Sequence, residues 1–94
     1  MDDTANKIRQ VSLDENPVSK LVDLVYLLSA HGLTRQNIYD LYLKYLVDNQ
    51  DSDEWITVQN KFNGDHPVEV ILDSLSGWCR PESILLPNEP FQKH

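Results

Sequence analysis

The stretch PVSKLVDLVYLLSAHGLTRQNIYDLYLKYLV, residues 17–47, decides the fold. Within it Ile38, Leu41, Tyr42, Tyr45 and Leu46 recur at i, i+3, i+4, i+7 and i+8, which puts them on one face of an α-helix. A strand would need an apolar period of two, and none is present. Upstream, Val18, Leu21, Val22, Val25 and Leu28 mark the inner face of a first helix. Leu24, Tyr26 and Leu27 widen its apolar surface to nearly the whole circumference. A helix apolar almost all round has neighbours on several sides. The break His31-Gly32-Leu33-Thr34 divides the two helices. Gly32 is the left-handed stop, Leu33 packs back onto the preceding turn, and Thr34 caps a second helix that runs to about Asn49.

Outward from this centre the signals continue in the same class. Asn16-Pro17 opens the first helix, with Asn16 as cap and Pro17 at the first helical position. Residues 1–15 are polar, with Asp2, Asp3, Asp14 and Glu15, and read as a mobile arm with one helical turn around Ile8 to Val11. After the second helix, Asp48-Asn49-Gln50-Asp51-Ser52-Asp53-Glu54 is an acidic connector, and Asp51 with Glu54 resembles a capping box. A third helix carries Trp55, Ile56, Val58 and Phe62 and ends at Asn63-Gly64. The alternative over 55–72 is a hairpin about Asn63-Gly64, opposed by Pro67, which has no ladder N–H to give. A fourth helix starts at Pro67, capped by Asp65 or His66. It shows Val68, Ile71, Leu72 and Leu75 at helical spacing and stops at Gly77. Ile84-Leu85-Leu86, bracketed by Pro81 and Pro87, reads as a short extended segment laid across the bundle. The expectation is an all-α, four-helix domain over 16–87 with an arm before it and a tail over 88–94.

Composition narrows the function classes. The 94 residues allow one domain with a single modest core, and 40 % apolar with 24 % charged residues is ordinary for a globular chain. Eight Lys and Arg against fifteen Asp and Glu give a net charge of −7 and a pI near 4.6. Such a surface repels phosphate backbones and anionic membranes and speeds encounter with basic partners. Cys79 is the lone cysteine, so neither an internal disulfide nor a Cys-rich zinc site is available. The N-terminus has acids where a signal peptide carries bases, and the longest apolar run, Leu24 to Leu28, is far short of the ~18 residues of a membrane span. A cytoplasmic protein without a membrane segment is expected.

The acids fall into two groups. In the connector, Asn49, Asp51 and Asp53 alternate as calcium-loop ligands do. Glu54, however, stands where that loop needs glycine, and Asn60 where it needs glutamate. No metal or cofactor is expected. In the fourth helix, Asp65, Glu69 and Asp73 stand four apart, so like charges at i and i+4 repel along one stripe. The helix dipole compensates Asp65 and Glu69 near the N-terminus but not Asp73. A basic partner would relieve that repulsion. Tyr39 and Trp78, aromatics of the kind that anchor interfaces, are the candidates for exposure beside it.

The segment Val68-Glu69-Val70-Ile71-Leu72-Asp73-Ser74-Leu75-Ser76-Gly77-Trp78 resembles the interface helix of the barstar family in its order of acid, apolar, acid and Leu-x-Gly-Trp. The resemblance implies that Glu69 and Asp73 engage a basic nuclease site, and it covers residues 68–78 alone. A second stretch, Leu28-Ser29-Ala30-His31-Gly32-Leu33-Thr34-Arg35-Gln36 with the later Asn63-Gly64, is similar to repressor-type helix-turn-helix proteins. That resemblance implies a recognition helix over 55–62 with Thr57, Gln59, Asn60 and Lys61 outward, and if the chain binds DNA, replacing Lys61 and Arg35 is the damaging change. The interval from Gly32 to Gly64 is longer than that motif, and the acids of 48–54 would face phosphates.

Catalysis finds no partnered group. His31 sits at a helix C-terminus, His66 precedes Pro67 in a cap, and Cys79 stands beside Arg80; no Ser/His/Asp arrangement follows from the spacing. The expected function is therefore a non-enzymatic protein-binding module. It would be an inhibitor, immunity protein, antitoxin or adaptor that occupies a basic protein surface through Asp65, Glu69, Asp73, Trp78 and Tyr39. The alternatives are a helix-turn-helix DNA-binding regulator and a structural homodimer subunit, the latter from the excess apolar surface of the first two helices.

Overall fold

The computed structural model describes residues 3–77 and 84–86, and among them the chain is all-helical. Five helices follow in order: α1 (Asp3–Ser12), α2 (Pro17–Ala30), α3 (Arg35–Asn49), α4 (Asp53–Lys61) and α5 (Pro67–Ser76). The central α2 and α3 occupy the expected positions. Thr34 accepts from the Asn37 N–H at 3.1 Å while the Asn37 side chain accepts from the Thr34 N–H, a reciprocal cap. Gly32 at φ 98° lets the Leu33 N–H return to the Leu28 carbonyl. The 55–72 region forms α4 and α5, not a hairpin. Asn63 and Gly64 are both left-handed, and the Gly64 N–H closes the end of α4 on the Gln59 carbonyl at 2.8 Å.

The N-terminal segment departs from expectation. Residues 3–12 form a full helix where an arm was expected, and Ile8 is 1 % exposed in the core. Thr4, Ile8 and Val11 share its inner face, and the Ser12 hydroxyl donates to the Ile8 carbonyl at 2.7 Å. One apolar residue per turn is a weak signal in isolation, yet enough once α2 and α3 supply a surface to cover. α1 also explains why Leu24, off the main stripe of α2, is buried.

Two further caps differ in detail. Asn16 precedes α2 without a side-chain cap bond, its N–H donating to Asp14. Ser52, not Asp51, caps α4 by accepting from the Trp55 N–H at 3.1 Å. The core gathers Ile8, Leu21, Val25, Ile38, Tyr42, Trp55, Val68, Ile71, Leu75 and Leu85. Tyr42 is wholly buried and its hydroxyl donates to the Leu21 carbonyl, so no polar atom is stranded; burial pushes its phenol well above the ordinary range. Of the C-terminal segment, 84–86 is described: the Leu85 N–H donates to the Ser74 carbonyl of α5 and its side chain enters the core. Residues 78–83 and 87–94, with Trp78, Cys79 and Arg80, lie outside the described residues.

Candidate functional site

α5 is held at both ends. At its start the buried His66 is the cap: its Nδ1 accepts from the Val68 N–H at 3.1 Å, and Glu69 Oε1 accepts from the His66 N–H at 3.4 Å. The imidazole lies flat on Trp55 of α4, with ring centroids 3.5 Å apart and planes 8° apart. Burial lowers the His66 pKa to about 4, since the charged ring would lose water and its Nδ1 would oppose an N–H donor. At the far end Gly77 is left-handed at φ 88°. There the buried Arg35 donates from Nε to the Leu75 carbonyl at 2.7 Å, adding a cation where the helix dipole is negative. Arg35, named with Lys61 for the alternative of DNA binding, is thus inside the fold.

This frame positions the three acids. Asp65 is exposed just before the cap, Glu69 is half-buried in the first turn, and Asp73 is exposed three residues from the end of α5. Partial burial, and then the negative charge of Asp65, raise the Asp73 carboxyl above its ordinary value. Asp65 and Asp73 therefore act on one another, while Glu69 turns toward the cap. The ion pairs among the described residues lie elsewhere: Arg9 grips Glu54 through two 2.9 Å contacts, and Lys44 meets Asp48 at 2.8 Å. No Lys or Arg among the described residues neutralises the α5 acids. Tyr39, expected to stand exposed, is instead half-buried against the core. Trp78 lies outside the described residues.

Depressions open between the helices, and two of them bear on binding. One, of about 200 Å³, opens where the end of α3 meets α4 and α5 and is lined by Leu46, Gln50, Trp55, Gln59 and Glu69. The sequence contains Trp55, Gln59 and Glu69 as separate signals, but only the crossing of three helices brings them together. The other, of about 280 Å³, is an apolar groove between α1 and α2 over Val11, Leu24 and Leu27, with Lys7 and Lys20 at its border. Nothing in the sequence points to it while 1–15 is read as an arm.

Nδ1 of His66 is occupied by its cap, and His31 is exposed at the end of α2. Among the described residues no group of three or more His, Cys, Asp and Glu is placed to hold a metal ion. Nor is any helix among them long and apolar enough to cross a membrane. No protein-family model matches the chain, and no curated protein or solved structure does.

Proposed function

We propose that the protein is a non-enzymatic binding module whose α5 face, with Asp65, Glu69 and Asp73, docks on a basic surface of another protein. The observation that carries this reading is that, among the described residues, no ion pair takes up Asp65, Glu69 or Asp73. The two ion pairs of the described residues use Glu54 and Asp48, while the Asp73 carboxyl is raised by burial and by Asp65. A carboxylate in that state gains when a cation arrives, because repulsion is exchanged for attraction. The helix presenting it is capped at both ends and packed on Trp55 and Arg35, so little ordering is left to do on binding. An inhibitor, immunity protein, antitoxin or adaptor in the cytoplasm fits this chemistry.

DNA binding ranks below it. Asp53 and Glu54 occupy the first turn of α4, the end that a recognition helix turns toward phosphates, and Arg35 is buried. The two readings separate in one experiment. Changing Glu69 and Asp73 to lysine slows association with the basic partner and flattens its salt dependence while the helical spectrum is unchanged. Duplex binding by the unaltered protein near ~150 mM salt, lost in Lys61→Ala, would reverse the ranking.

A further inference from the structure

We propose that the depression at the junction of α3, α4 and α5 is a receptor for the guanidinium group of an arginine side chain on the partner. The inference rests on the reading of α5 as the docking face and names the group that this face takes. The lining chemistry is that of a hydrogen-bond acceptor site. Glu69 contributes a carboxylate whose Oε1 is only weakly engaged, at 3.4 Å from the His66 nitrogen. Gln59 spends its Nε2 on the Gly64 carbonyl at 2.9 Å, which fixes the amide and leaves Oε1 as its acceptor. Gln50, at the end of α3, makes no side-chain hydrogen bond to the described residues and supplies a second amide oxygen. The indole of Trp55 is immobilised by the His66 stack and by Tyr45, whose ring centroid is 6.0 Å away.

Three ligand classes can be compared on this lining. An anion would meet Glu69, with Asp73 on the same helix and Asp65 just before its cap, and no Lys or Arg among the described residues lines the site. An apolar group would leave the two amides and the carboxylate without water or partners. A cation with several donors satisfies all of them. Between the two protein cations, guanidinium fits better: it is planar, weakly hydrated and carries five N–H donors in a fixed fork that can meet several acceptors at once. An ammonium is compact and strongly hydrated, and 200 Å³ is more room than it needs.

The test is a titration of the ¹⁵N-labelled protein at low salt with the blocked tripeptide acetyl-Gly-Arg-Gly-amide and with its citrulline analogue, which keeps the shape and loses the charge. The arginine peptide is expected to shift the Trp55 indole N–H and the Gln50 and Gln59 side-chain amides saturably, with a dissociation constant of about a millimolar. Citrulline is expected to shift none of them. Glu69→Gln keeps the cap, since glutamine serves at that position, and is expected to weaken the arginine peptide about tenfold or more. Diffuse shifts, an equal response to citrulline, or unchanged binding by Glu69→Gln would each overturn the receptor. The double variant Asp65→Asn, Asp73→Asn separates this from the docking reading. If it abolishes partner binding while the tripeptide is silent at the depression, the receptor alone fails. If partner binding is indifferent to it while the tripeptide binds, the docking face fails, and the depression remains a guanidinium site without a role in that partner's docking.

Discussion

Buried at the first position of α3, Arg35 donates to the Leu75 carbonyl, and its guanidinium also reaches to 4.0 Å of where a Gly77 side chain would begin. Removing it leaves a buried carbonyl in the last turn of α5 without its partner. Arg35→Met is expected to cost about 2–3 kcal/mol in denaturant titration; a loss under ~0.5 kcal/mol would mean that water replaces it freely. His66 sets a pH dependence of defined sign. Its folded pKa, about 4, lies below the ordinary 6.5, so the unfolded chain takes the proton first. Stability from this residue is complete above pH ~6.5, falls as pH drops toward about 4, and levels off below. Between pH 7 and 4.5 the protein is expected to lose about 2 kcal/mol more than His66→Asn, which keeps a capping side chain. Parallel losses in both proteins would place the titration elsewhere.

At the scale of elements, legibility follows apolar density. The two central helices and α5 declare themselves because each shows three or more apolar residues at helical spacing with a clear stop, and the structure keeps them within a residue or two. α1 does not, because Ile8 and Val11 stand among polar neighbours and their burial depends on partners distant in sequence. The helix is therefore held by packing rather than by propensity. Ile8→Ala is expected to lower stability by about 2–4 kcal/mol, the cost of a cavity among core residues. A mobile arm would show under ~0.5 kcal/mol. The candidate site divides in the same way. Its acids are legible as a stripe, since i, i+4 spacing is local. The turn of Glu69 toward the cap, the withdrawal of Tyr39 into the core and the meeting of Gln50 with Gln59 are tertiary facts that no local pattern encodes.

At the scale of the whole molecule, the surface combines acidity with scattered apolar exposure. Leu24 is covered and Tyr39 and Leu43 are partly so, but Tyr26 and Leu27 on α2 remain about half exposed, with Val18 nearby on the same helix. If a homodimer forms through α2, light scattering over a hundredfold dilution will show a mass falling toward 10.9 kDa, and Tyr26→Lys will hold it there. A constant mass at that value assigns these residues to ordinary surface. The central claim, that the carboxylates of α5 are the interaction surface, is tested most directly by quantitative affinity capture from the source cells with two baits. One is the unaltered protein and the other is the isosteric triple variant Asp65→Asn, Glu69→Gln, Asp73→Asn, each read at low and moderate salt. The account predicts a basic protein retained by the first in a salt-sensitive manner and lost by the second, with the helical spectra of the two identical. Retention of the same protein by both baits would contradict it.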